Sequence, residues 1–385
     1  MRILHVTDCF HGGVATAVDQ YARLTPEYGH LLLSNNARSS AAPVARRPGV
    51  FDVDEELPAS PRDAVAAVRE AVRRHHPDVV HAHSSFAGAY VRAAALWDRL
   101  TPGRRSWPVV YTPHSYAFER ADIPAWKRRV FRVMERVLTP LTTVGAPCAE
   151  WEAELMRGLT PRRIPGLVPG PVQRRWPGGR DRPDRLPVIV VPNALMDDYP
   201  APEGSWAPVD PPTVGVVSRV TPQRDPRFFA ETARLIRSRL PETRFVWIGD
   251  GDGKDADLVR VLTDAGIEVT GWLSGDELAA RTAGLSLVIH TARWDGFPMA
   301  VLEVRRIGVP LLVRDIPALR ECPATARFDS PEAAAEKAVG ILTSGKDPAH
   351  WGSLDSAHAP SRQHSRLAQV YSLALTRLSG RKEHR

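Results

Sequence analysis

Three cysteines in 385 residues, Cys9, Cys148 and Cys322, are too few, too scattered and odd in number for a disulfide framework. No ligand spacing surrounds them, so a structural zinc site is not expected, and a reducing compartment is. Long apolar runs are missing as well. No stretch approaches the ~18 residues needed to cross a bilayer. The opening Arg2-Ile3-Leu4-His5-Val6 is cut short by Thr7-Asp8 and a glycine loop, unlike a secretory leader. The expectation is a cytoplasmic protein, at most peripheral at the inner face of the cell membrane. A complete G-x-G-x-x-G fingerprint is also lacking, as is a clear ribose-binding acid after the first glycine loop. Both weigh against an NAD(P)-dependent enzyme.

Charge is plentiful but local. The net charge is +7, and the segment 157–186, with eight arginines and two aspartates, carries +6 of it. A nucleic-acid partner is therefore not expected. That segment is rich in Pro and Gly and cannot form regular helix or central strand. It reads either as a solvated loop or as an arm touching anionic lipid or an acidic partner.

The remaining pattern is βαβα alternation, seen twice. Apolar runs at Ile3–Val6, His30–Leu33, Asp78–His81, Val109–Thr112, Thr142–Gly145 and Val188–Val191 read as one set of strands. A second set is Val214–Ser218, Arg244–Ile248, Ile267–Thr270, Leu285–His290 and Val309–Val313. Both sets are Val/Ile/Leu-rich, as strands covered on both faces should be. Amphipathic segments such as Pro61–Arg74, Phe228–Leu240 and Glu332–Leu342 lie between them. The fold class expected is α/β, with two doubly wound Rossmann-like domains and a polar, proline-rich break at Asp197–Pro212. The domains predicted are 1–195 and 196–360, with a helix and basic tail at 361–385 packing back on the first.

Four stretches follow strands and carry candidate chemistry. Gly12-Gly13 opens a helix after the first strand, where bare amides suit a phosphate; a tight turn explains it equally well. His114 stands in Thr112-Pro113-His114-Ser115, where it could meet a sugar hydroxyl or simply satisfy a turn carbonyl. Arg219 and Arg224 near a helix start can clamp a diphosphate and offset its charge as it leaves; two surface arginines would look the same. The last stretch runs from His290 through Thr291, Asp295, Gly296, Phe297, Pro298 and Met299 to Glu303. Its loop amides precede a helix, and two carboxylates can take hydroxyl hydrogen bonds. Asp295 could equally be a helix cap and Glu303 a surface residue. Asp250-Gly251-Asp252 has the form of a D-x-D metal motif but sits in a Gly-rich turn, and no catalytic metal is expected. The basic, amphipathic helix at 126–132 could rest on a membrane; a helix that simply covers the sheet is the first expectation.

In order and placement these stretches resemble the family 4 glycosyltransferases, a retaining group with the GT-B fold. The likeness extends to Pro77-Asp78-Val79-Val80-His81-Ala82-His83, Val191-Pro192-Asn193, Ile248-Gly249-Asp250-Gly251 and Asp315-Ile316-Pro317-Ala318-Leu319-Arg320-Glu321. The resemblance implies transfer of a sugar from a nucleotide diphosphate sugar, with no further cofactor, to an acceptor the sequence does not name. Two lobes would face a shared cleft, with the acceptor on the N-terminal side and the donor on the C-terminal side. It implies His114 and Asp295 at the transferred sugar. The donor would be held by Gly12, Gly13, Arg219, Arg224, Thr291, Gly296, Phe297, Pro298, Met299 and Glu303, the last on the ribose. Asp295 replaces the usual glutamate and is one methylene shorter; Arg224 replaces the usual lysine. A catalytically silent nucleotide-sugar-binding scaffold and an NAD(P)-dependent enzyme are the competing readings.

Overall fold

The computed structural model describes residues 1–35, 48–103, 106–160, 186–200, 209–251 and 255–382. The chain divides into two units: residues up to Asn193 join with those from Pro360 onward, and Ala194–Ala359 forms the other. The basic segment between 161 and 185, Asp252, and the tail beyond Lys382 lie outside the described residues.

The first unit is a six-stranded parallel sheet. Its strands are β1 (Arg2–Thr7), β2 (Gly29–Ser34), β3 (Val53–Glu56), β4 (Val79–His83), β5 (Val109–Thr112) and β6 (Val144–Gly145), in the order β3-β2-β1-β4-β5-β6. Its helices are α1 (Gly12–Leu24), α2 (Pro61–His75), α3 (Ser85–Leu100), α4 (Ala125–Leu138) and α5 (Glu150–Leu159). β3 escapes the sequence reading because Val53-Asp54-Glu55-Glu56 is acidic, which suits an edge strand with one half-exposed face. The strand expected at Val188–Val191 is instead a single parallel bridge of Val188 to Gly145, extended by Ile189 N–H to Gly145 O at 2.9 Å.

The second unit repeats the plan. Strands β7 (Thr213–Val217), β8 (Arg244–Ile248), β9 (Glu268–Val269), β10 (Leu287–His290), β11 (Leu311–Arg314) and β12 (Arg327–Phe328) are ordered β12-β11-β10-β7-β8-β9. They alternate with α6 (Pro226–Arg237), α7 (Ala256–Asp264), α8 (Gly275–Ala283), α9 (Met299–Ile307), α10 (Pro331–Ser344) and α11 (Gly352–Ala357). Local chemistry sets these boundaries. Pro331 follows the capping Ser330, whose hydroxyl accepts Ala333 N–H at 3.2 Å, and α10 stops at Gly345 in the left-handed region.

The last helix, α12 (Pro360–Lys382), returns to the first unit. Its Leu367, Val370, Tyr371 and Ala374 are fully buried with Ile3, Tyr21, Val79, Val110, Val144 and Val191. Burying a Leu, Val or Tyr side chain is worth ~1.5–3 kcal/mol, so this seam is a substantial part of the unit's stability. α4 covers the first unit by one face, with Glu135 buried against Tyr111 of β5 and Phe131 packed on the core, while Trp126, Val130, Val133 and Val137 stay exposed.

In each sheet the chain first winds outward one way, then restarts beside the first strand and winds the other way. The restart lies between β1 and β4 in the first unit and between β7 and β10 in the second. Such switch points leave a crevice at the carboxyl ends of the strands, where loops diverge and ligands bind.

Candidate functional site

At the second unit's switch point, the loop after β7 and the loop after β10 are laced together. Gln223 Nε2 donates to Trp294 O at 2.7 Å, and Arg293 N–H donates to Gln223 O at 2.9 Å. Thr291 Oγ1 donates to Arg224 O, and Arg224 Nη1 pairs with Asp295. The other Asp295 oxygen accepts Gly296 N–H at 2.9 Å. Asp225 has φ of 53°, accepts Phe228 N–H at 3.4 Å as the cap of α6, and takes Arg314 Nη1 at 2.7 Å. Arg314 also reaches Thr291 O at 3.2 Å and lies over the Phe228 ring. The end of β8 presses on the same loop. Gly249 has φ of 144°, and a Cβ there would stand 2.0 Å from Ser218 O. Only glycine fits, and Trp247 Nε1 donates to that carbonyl at 2.7 Å and fixes it.

Within this frame some groups are held and others are not. The Arg219 side chain makes no hydrogen bond or ion pair among the described residues and is half-buried. Glu303, on α9, is half-buried, and desolvation of its carboxyl pushes its pKa up to about 7. Glu303 and desolvation together raise the neighbouring Tyr199 phenol, with desolvation the larger cause. His290 is buried with its Nε2 unpartnered, 4.0 Å from Asp295. Burial first and the Arg224 cation second lower its pKa to about 3, so it is a neutral imidazole. Gly296, Phe297, Pro298 and Met299 are buried. Phe297 stacks on His358 at 4.1 Å, so its ring belongs to the packing.

At the first unit's switch point, Gly12 has φ of 56° with open space around its missing Cβ, so conformation rather than crowding calls for glycine. Gly13 is exposed. Ser84, after β4, donates to Asp8, after β1, and so ties the two loops together. His114 follows β5 with φ of 48°, and Ser115 has φ of 79°. The buried Glu152 carboxylate accepts both Ser115 N–H and Cys148 N–H, the latter at 3.0 Å, and so holds this unusual turn. His114 is half-buried, and desolvation lowers its pKa to about 4.

The strands behind His114 carry four more histidines. His5, His30, His81 and His83 are all buried. His5 bonds His83 at 3.0 Å and His30 at 3.0 Å; His83 bonds His114 at 3.1 Å. His5, His81 and His83 hold nitrogens within 4.8 Å of one another, close enough to share a metal ion. Those nitrogens are engaged in hydrogen bonds instead, His81 with Tyr371 OH at 3.0 Å and Thr112 Oγ1 at 2.9 Å. Asp250 of the D-x-D pattern is exposed, and its carboxylate accepts Gly251 N–H at 2.7 Å.

Residues 12–169 match the Glycosyl transferase 4-like domain, and residues 211–344 match Glycosyl transferases group 1. The chain belongs to the family 4 glycosyltransferases. An Escherichia coli UDP-Gal:alpha-D-GlcNAc-diphosphoundecaprenol alpha-1,3-galactosyltransferase is 23% identical over 66% of this chain and 62% of its own length. A Mycolicibacterium smegmatis GDP-mannose-dependent alpha-mannosyltransferase is 28% identical over 53% of this chain and 45% of its own. The chain thus spans less than two thirds of either relative. The solved Anabaena HepE complex with UDP superposes with a TM-score of 0.62, at 14% identity, over 100% of both chains. The glycosyltransferase has the GT-B fold.

In this glycosyltransferase the structure gathers Arg219, Arg224, Thr291, Asp295, Gly296, Phe297, Pro298, Met299 and Glu303 at the loops and helix start around β7 and β10. Gly12, Gly13 and His114 lie at the carboxyl edge of the other sheet. The roles are not equivalent. Thr291, Arg224 and Asp295 are occupied with one another, whereas Arg219 and Glu303 have polar groups without hydrogen-bond partners among the described residues. Sequence reading named His290 and the strand histidines only as parts of motifs, without a role, and passed over Arg314 and Tyr199. Only the strand histidines left a signal, imidazoles in strands otherwise made of aliphatic residues.

Proposed function

We propose that the chain transfers a sugar from a nucleoside-diphosphate sugar to an acceptor hydroxyl with retention of configuration and without a metal. The observation that carries this reading is the uncommitted Arg219 guanidinium in the loop after β7, at the β7–β10 switch point. A cation and helix-start amides suit a departing diphosphate. Glu303, ionised at pH above about 7, can accept two ribose hydroxyls. Retention is supported by the state of Asp295. With one oxygen on Arg224 and the other on Gly296 N–H, its carboxylate is a poor general base for an inverting displacement and a poor nucleophile for a double displacement. A reaction in which the acceptor attacks from the face the diphosphate leaves needs neither. Asp295 then holds Arg224 and the loop, and positioning and charge stabilisation supply the acceleration.

UDP- and GDP-sugars are the first donors to test, because the relatives named above carry those nucleotides in their names and HepE was solved with UDP. A thermal-shift screen over UDP, GDP, ADP and their hexose conjugates should show one base series raising the midpoint. Saturation at 100 times Kd is worth about 2.7 kcal/mol. Arg219→Ala should remove the shift; an unchanged shift would overturn the arginine's role. The anomeric signal of the product, read by proton NMR, tests retention.

The acceptor side is proposed to rest on an anionic membrane. On α4, Trp126, Val130, Val133 and Val137 are each more than half exposed, flanked by exposed Lys127, Arg128, Arg129, Arg132 and Arg136. Exposed apolar side chains beside a row of cations suit a lipid interface. Co-sedimentation with phosphatidylglycerol vesicles, and its loss in Trp126→Ala/Arg129→Glu, is the expected result.

A further inference from the structure

The buried histidines form a directed chain with one blind end. Thr25 Oγ1 donates its proton to Tyr21 O at 2.7 Å. Thr25 therefore offers His30 Nε2 only acceptors, its carbonyl at 2.9 Å and its hydroxyl oxygen at 3.2 Å. His30 must carry its proton on Nε2 and a lone pair on Nδ1. That lone pair faces His5 Nε2 at 3.0 Å, which must then be N–H. His5 Nδ1 is left as an acceptor for His83 Nε2 at 3.0 Å, and His83 Nδ1 as an acceptor for His114 Nε2 at 3.1 Å. Reversing any member would oppose two N–H groups or two lone pairs in a buried setting, a cost of ~1–3 kcal/mol. The parallel sheet makes the alignment. His5 pairs with His81 and Thr7 with His83 across β1 and β4, and His30 pairs with Ile3 across β1 and β2, so the rings share one face.

We propose that His30, His5 and His83 are positioning residues that fix His114 with Nε2 protonated and Nδ1 bare, so that it accepts a hydrogen bond from a hydroxyl and turns away phosphoryl and carboxylate oxygens. This rests on the reading of His114 as a residue facing a substrate sugar or acceptor. Nothing among the described residues takes up His114 Nδ1. Burial lowers the pKa of each of His5, His30, His83 and His114, which keeps each with one proton and makes the argument hold near neutral pH. The chain also ends blindly at Thr25, so a proton taken at His114 has no exit by this route. Its effect is to orient the ring rather than to carry charge away.

The test reads the tautomer directly. In the full chain with 15N-labelled histidine, long-range proton–nitrogen correlation, assigned with His114→Gln, should show His114 as the pure Nε2–H form. His83→Phe keeps a buried ring but removes the acceptor, and should give a tautomer mixture. His83→Gln restores an acceptor and a donor and should restore the single form. Hydrolysis of whichever of UDP-galactose and GDP-mannose stabilises the protein should lose about 10–100-fold in kcat in His83→Phe, with the Kd for UDP or GDP unchanged, and recover in His83→Gln. An Nδ1–H His114 in the unsubstituted protein, a measurement independent of any variant's folding, overturns the proposal. So does a His114 tautomer indifferent to His83→Phe. A locked tautomer with unchanged kcat refutes the substrate contact of His114 and leaves the diphosphate reading, judged by nucleotide binding, standing.

Discussion

Glu303 sets a pH dependence with a definite sign. Its carboxyl titrates near 7 in the folded protein against an ordinary 4.5. Between those values the native state binds more protons than the unfolded one, so this group's contribution to stability declines as pH rises and levels off above about 7. Glu303→Gln should raise the ligand-free thermal midpoint at pH 8 and leave it nearly unchanged at pH 4. A ribose bound to the carboxylate reverses the preference. Nucleotide affinity should increase with pH up to about 7, by about tenfold between pH 6 and 8, and be flat and weaker in Glu303→Gln. Calorimetric titration at three pH values decides it. A second residue-scale prediction concerns the fully buried pair of Arg92 and Glu135, 2.9 Å apart, with Tyr111 OH on the same carboxylate at 2.9 Å. Glu135→Leu alone strands a guanidinium and should cost about 3–5 kcal/mol, while Arg92→Met/Glu135→Leu recovers most of it. Urea denaturation of the three proteins measures this. Neither Glu135 nor Glu303 announces its burial in sequence. A glutamate in a helix reads as a surface residue until the tertiary neighbours are known.

At the scale of elements, the loops following β7 and β10 work as one piece because backbone carbonyls, not only side chains, hold them together. Gly249 is the tightest point. Gly249→Ala would drive a methyl into Ser218 O and force the chain out of a φ of 144°. The expected outcome is a loss of more than ~2 kcal/mol, with weakened nucleotide binding because Arg219 follows Ser218 directly. The core strands were legible because covered parallel strands are nearly continuous in Val, Ile and Leu, as in Val79–His83 and Leu287–His290. β3 was hidden by its acidic residues, and β12 by being only Arg327–Phe328. The loops bearing Arg219, His114 and Asp295 were legible as strand-to-helix junctions. That Asp295 would be spoken for by Arg224 was not, since 71 residues separate the two and only the adjacency of β7 and β10 brings them together.

At the scale of the molecule, the first unit is assembled from both ends of the chain. α12 supplies Leu367, Val370, Tyr371 and Ala374 to its core, and Tyr371 OH reaches His81. Removing residues 360–385 should therefore unfold the first unit rather than trim it. The truncated chain is expected to aggregate, with ANS fluorescence raised and the remaining secondary structure confined to the 194–359 unit. Co-expression of the missing helix as a separate peptide, with recovery of soluble protein, would confirm that packing is what was lost. This arrangement also fixes an order of birth. While the ribosome makes the roughly 180 residues between Asn193 and Ala374, at ~5–20 per second, the strand face holding Ile3, Val79 and Val110 has no lid. For some ten to forty seconds the half that was translated first must wait, greasy side open, while the half translated second can already close on itself.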